Sequence, residues 1–241
     1  MLKKTKAVVL YTLKYSDSSL IVHTFTEEHG RMAFWLRISK THKAKVQKVL
    51  FQPLSVLDLD IDVPQKGGLS YIRDARAACP FGSLPFDPLK LSVALFIAEF
   101  LGRVLKEEDQ NQPLFSYLES SIRWLDGCQE VPANFHLVFL MHLSLFMGLY
   151  PNLDDYHEGD FFDLENGCFC TPMPIHGQFV RSPFSGHIRT LMRMNYENMH
   201  LFKMNRTDRN EILDVLLRYY GIHIPGSAEL KSLPVLKELF D

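Results

Sequence analysis

Alternation of apolar and polar residues dominates the first eighty positions. Met32, Phe34, Leu36 and Ile38 fall on one face of a strand, and Arg31, Ala33, Trp35 and Arg37 on the other. Residues 55–63 repeat the pattern, with Leu57, Leu59, Ile61 and Val63 pointing one way and Asp58, Asp60 and Asp62 the other. Residues 4–15 and 20–26 are rich in Val, Leu, Thr and Tyr and are separated by a polar turn at 15–19. A fifth strand, 69–78, follows the turn at 64–68. Glu27-Glu28-His29-Gly30 predicts a tight turn, in which Gly accepts a positive φ. Five strands with no helical period among them predict a five-stranded OB-fold β-barrel over residues 1–79.

The period changes after a linker containing Pro80, Gly82, Pro85 and Pro88. Over 89–106, Leu91, Leu95, Ala98, Leu101, Gly102 and Leu105 recur at helical spacing. A second helix is predicted from Pro113 to about 125. A third begins at Pro132, with Phe135, Val138, Phe139, His142, Leu145 and Phe146 on one stripe. Residues 152–186 lack periodicity and form an irregular insert, with a short hairpin expected around Gly167. Helices are predicted at 185–195, at 205–220 (capped by Asn205 or Thr207 and closed by Gly221) and at 233–240. The fold class is therefore multi-domain α+β: the N-terminal barrel, then an all-α helical domain over 80–241 with its insert at 152–186.

Charge sharpens this division. Residues 1–80 carry 13 Lys/Arg against 7 Asp/Glu, and the remainder 13 against 21. A basic barrel joined to an acidic remainder fits a polyanion-binding module on a protein-binding scaffold. No acidic residue occurs from Arg31 through Leu57, a stretch that also holds Lys40, Lys43, Lys45 and Lys48. Trp35 suits base stacking, and Arg31, Arg37 and these four lysines suit phosphates. The Asp58, Asp60 and Asp62 row reads as a solvent face that DNA avoids. The longest apolar run, 137–150, is 14 residues and includes His142 and Ser144, short of the roughly 20 a bilayer requires. With no leader-like start and four scattered cysteines, the chain reads as cytoplasmic, without membrane or disulfide framework.

The segments TKAVVLYTLKYSDSSLIVHTFTEEHGRMAFW, FQPLSVLDLDI and EILDVLLRYYGIHI…LKSLPVLKEL resemble the bacterial recombination mediator family RecO, at both ends of the chain. The order of barrel, Pro-rich link, helices, insert and helices also agrees. The resemblance implies a DNA repair protein that binds single- and double-stranded DNA and anneals complementary strands. It further implies work with RecR to help load RecA onto DNA coated by single-strand binding protein (SSB), and a grip on the acidic, apolar-ended SSB C-terminal tail. Arg103, Lys106 and Arg123 are the candidate cations for that tail. Many members of the family carry a four-cysteine zinc site in the insert. This chain offers only Cys168 and Cys170, with His157 and His176 as the remaining donors, so no cofactor is expected.

Two other classes stand beside this reading. A protein-only adaptor would keep the barrel without its DNA role. A metal-dependent nuclease would draw on Asp154, Asp155, His157, Glu158, Asp160, Asp163 and Glu165, but these are strung along one segment. No P-loop pattern supports ATP hydrolysis, and His136 and His142 read as satisfied polar residues. The expectation is a mediator without enzymatic turnover.

Overall fold

The computed structural model describes residues 2–37, 48–63, 70–106, 109–154, 156–227 and 229–240. The chain forms two compact units, Met1–Gln129 and Glu130–Asp241.

In the first unit, β1 (Leu2–Ser16), β2 (Ser19–Thr26), β3 (Gly30–Arg37), β4 (Val56–Asp62) and β5 (Ser70–Ala77) close into a barrel of order β1-β2-β3-β5-β4. All neighbours are antiparallel except β3 and β5, as in an oligonucleotide-binding barrel. Gly30 takes a φ of 63°, and Thr26 Oγ1 ties the β2–β3 turn by donating to Gly30 O and accepting from His29 N. The predicted inward faces pack the interior: Phe34, Leu36, Leu57, Leu59 and Ile61 join Ala7, Val9 and Val22 in one buried cluster.

The chain then enters α1 (Pro88–Val104) and α2 (Gln112–Gly127). The Pro-rich stretch before α1 is tied down. Asp126 accepts from the backbone N–H groups of Gly82, Ser83 and Leu84 at 2.7–2.9 Å. The Lys90 ammonium, 1% exposed, donates to Ser83 Oγ (2.6 Å), Asp126 O (2.8 Å) and Cys128 O. A buried cation is tolerable here because three acceptors replace its water.

The second unit is built on α3 (Phe135–Phe146), α4 (Phe184–Arg193), α5 (Arg206–His223) and α6 (Leu233–Glu238). The insert folds as a small sheet of order β7-β6-β8, from β6 (Phe161–Asp163), β7 (Cys168–Cys170) and β8 (Phe179–Val180). The expected hairpin is β6–β7, with Gly167 at φ 64°.

Three helix expectations need correction. Helix α1 is apolar almost all round, and it buries Val93, Phe96, Ile97 and Phe100 while leaving Leu91 and Leu95 partly exposed. Helix α3 begins at Phe135 rather than Pro132. It buries Leu137, Leu140 and Met141 beside the predicted stripe, with Leu145 exposed, so it is a core helix. Helix α5 runs through Gly221 to His223; its cap is Asn205, whose Oδ1 accepts from Asp208 N at 2.8 Å. Among the described residues no helix is long and apolar enough to cross a membrane.

Candidate nucleic-acid interface

Strand alternation gives the barrel an outer face, and α1 and α2 cover only part of it. Phe25, the outward partner of Arg31, is fully buried with its ring 6.5 Å from Phe115 of α2. Tyr11 lies so close to α1 that a Cβ on Gly102 would sit 3.0 Å from its ring. Further along the strands the outer face is open. There the register aligns Leu13, Ile21, Trp35 and Tyr71 in a row across β1, β2, β3 and β5. Trp35 and Tyr71 meet edge to face, with centroids 5.6 Å apart and an interplanar angle of 71°. Tyr71 is 45% exposed.

The candidate cations on this face divide into two kinds. Arg37, opposite Ser19, is exposed at the end of β3. Arg31 is half-buried instead: its Nη2 donates to Tyr11 Oη at 3.0 Å and lies 3.4 Å from His23 Nδ1. Its guanidinium also lies over the Tyr11 ring at 5.1 Å, and Tyr11 stacks on His23 at 4.3 Å. A guanidinium has no acceptor, so His23 Nδ1 must be the acceptor. Burial lowers the His23 pKa, and the Arg31 charge lowers it further, in the direction that favours the neutral ring. Burial also lowers Arg31 itself, against the pull of Tyr11. Trp35 is therefore flanked by one open guanidinium rather than two. Lys48 is exposed, while Lys40, Lys43 and Lys45 lie outside the described residues.

The Asp58, Asp60 and Asp62 row faces outward but is not bare. Lys6 and Arg76 are the cross-strand partners of Asp58, and Lys4 and Asp74 those of Asp60. Arg73 donates to Asp62 Oδ2 at 2.7 Å, holding that carboxyl below its usual range.

The insert's donors do not form a tetrahedral zinc site. Asp163, 6% exposed, accepts from Glu165 N, Asn166 N and Asn166 Nδ2, and from His176 Nε2 at 3.2 Å. Burial acts to raise the Asp163 carboxyl, and these hydrogen bonds outweigh it and hold it low. Burial and the Asp163 charge push the Cys168 and Cys170 thiols up. His157 sits instead beside Asp160, at 3.6 Å. Among the described residues no three His, Cys, Asp or Glu side chains could hold a metal ion. That result covers the acidic nuclease set as well, except Asp155, which lies outside the described residues.

Residues 1–81 match the family "Recombination protein O N terminal", and residues 85–234 match "Recombination protein O C terminal". The chain belongs to the RecO family. It is 51% identical to the DNA repair protein RecO of Phocaeicola vulgatus over 240 residues, covering 100% of both chains. The DNA repair protein RecO of Bacteroides fragilis is also 51% identical, over 242 residues and 100% of both. That of Flavobacterium psychrophilum is 33% identical over 98% of each. Membership in the RecO family carries a role in DNA repair and recombination.

Of the cations considered for a peptide tail in this RecO-family chain, Arg123 is paired: it donates to Glu119 Oε1 at 2.6 Å, and Lys6 shares that carboxylate at 3.3 Å. Arg103, in the last turn of α1, is half-buried, and Lys106, just beyond it, is exposed. Sequence reasoning overlooked a pocket of about 380 Å³ in the second unit, lined by Pro132, Ala133, Asn134, Phe202 and Arg209 among others. Arg209 is 4% exposed; its Nη groups donate to Phe240 O and Met204 O. Neither Arg209 Nε nor Asn134 Oδ1 has a hydrogen-bond partner among the described residues. Its position in the first turn of α5, next to Asp208, gave Arg209 the look of an ordinary surface charge.

Proposed function

We propose that this chain binds DNA on the open outer face of its barrel, anneals complementary strands and, with RecR, helps load RecA onto SSB-coated single strands. The observation that carries the reading is the exposed Arg37 next to a half-buried Trp35, on the part of the barrel that α1 and α2 leave uncovered. Annealing needs cations to screen two phosphate backbones and ring faces that hold bases without choosing among them. The lysines at 40, 43, 45 and 48 extend the positive surface on sequence grounds. Arg31, committed to Tyr11, braces β3 rather than contacting phosphate. Mediation of this kind needs no catalytic group and no metal, and takes place in the cytoplasm. The test is single-strand affinity across a salt titration. Arg37→Glu and Lys48→Glu together should weaken binding and flatten the log–log salt slope by about 1, at about 0.7 per phosphate. An unchanged slope would remove both residues from the interface.

For the SSB tail, one pocket favours a seat other than the α1 and α2 cations. An apolar lining around a buried guanidinium suits an apolar last residue with a free carboxylate, and the open Asn134 Oδ1 suits a peptide N–H. Ala133→Trp would fill the pocket. It should abolish binding of an acidic peptide with an apolar last residue and a free carboxylate, and amidating that peptide should have the same effect. Loss instead on Arg103→Glu or Lys106→Glu, with Ala133→Trp silent, would return the tail to α1.

A further inference from the structure

We infer that Tyr71 is the second half of a two-ring platform with Trp35, and that this pair selects unpaired bases over duplex DNA. The inference rests on the reading that the barrel binds DNA, and adds which state of DNA the site takes and which residue sets the choice. The two residues are register partners across the parallel β3–β5 pair, so both rings stand on the same outer face. Their edge-to-face contact holds each ring by the other and leaves flat aromatic surface toward solvent on the exposed Tyr71. Ile21, the partner of Trp35 on β2, extends the apolar row on one side. On the other side the row ends at Asp62, the partner of Tyr71 on β4. Its carboxylate is paired with Arg73 at 2.7 Å, so the aromatic row gives way there to an ion pair.

The chemistry of such a platform is discriminating. A ring pair with no hydrogen-bonding fork offers stacking and little else, and only a base with a free face can stack. Bases inside a duplex have both faces covered by their neighbours. Duplex DNA is then left with the phosphate contacts alone, whereas a single strand has phosphates and stacking together. A chain that must capture single strands and release the paired product needs such a difference.

Alternation could not place Tyr71. In β5 the pairing of Asp60 with Asp74 and of Ile61 with Ile72 leaves Arg73 bulged, so the side-chain parity reverses within the strand. Read by alternation, Tyr71 shares a face with Ala75, which is a core residue.

The chain has two tryptophans, Trp35 and Trp124, so Trp124→Phe leaves Trp35 as the sole indole reporter. In that background, oligo-dT and a blunt duplex of equal length would be titrated while Trp35 fluorescence and affinity are followed. Tyr71→Ala should lower single-strand affinity roughly 5- to 150-fold, the range for one lost stacking partner, and leave duplex affinity within about twofold. Tyr71→Phe should restore single-strand affinity, and Trp35 should be quenched by oligo-dT and not by the duplex. Equal losses for both DNAs, or none for oligo-dT, would overturn the role of Tyr71 while leaving DNA binding by the barrel intact. Absence of DNA binding by the parent would overturn both.

Discussion

His136 shows how a single side chain couples this molecule to pH. It is buried in α3, stacked on Phe240 at 5.8 Å, and burial, helped by the Arg209 charge, lowers its pKa to about 3. In the unfolded chain it titrates near 6.5. Between those values the unfolded state binds the extra proton, so its contribution to stability is complete above pH 6.5 and declines as pH falls toward 3. Unfolding of wild type and His136→Gln in urea at pH 6.5, 5.5 and 4.5 should give a difference that shrinks by roughly 1 kcal/mol per pH unit. A constant difference would mean that His136 is protonated in the native state. The sequence placed His136 among satisfied polar residues, but its burial comes from packing distant in sequence, Phe240 near the chain's far end included. No local pattern announces that. Arg31 failed the same way: alternation put it on the correct face, and its capture by Tyr11 and His23 depends on pairings between β1, β2 and β3.

At the scale of elements, periodicity located every barrel strand to within about two residues and lost accuracy where helices are apolar all round. Helices α1 and α3 carry so many apolar residues that several stripes fit, and only packing decides which is buried. The insert was legible as a hairpin at Gly167 and no further. Two-residue β8 is too short for any pattern, and the Asp163 network is built from turn geometry. Gly167 has φ 64°, and a Cβ there would meet Tyr219 Oη at 2.6 Å, so both the turn and the packing hold it as glycine. With hydrogen bonds doing the organising, the insert should be indifferent to chelation. EDTA dialysis is expected to leave the melting temperature unchanged, and Asp163→Ala to cost about 1–3 kcal/mol by stranding its donors. A melting temperature that falls with EDTA and returns with zinc would overturn this.

At the scale of the whole molecule, charge asymmetry was the most informative line in the sequence. The basic first eighty residues fold as a barrel with an open cationic and aromatic face. What composition could not supply is which part of that face is open, because α1 and α2 come from beyond the predicted barrel. It also hid Tyr71 on β5 and Arg209 behind the second unit's surface. The central claim, that this positive face brings single strands together, is most directly tested by annealing complementary strands coated with SSB, across a salt titration. Wild type should anneal them. Lys40/Lys43/Lys45/Lys48→Glu, if folded by circular dichroism, should lose annealing and flatten the salt slope by up to about 3, at about 0.7 per phosphate contact. Wild type that leaves the coated strands unpaired would contradict the account and favour a protein-only adaptor.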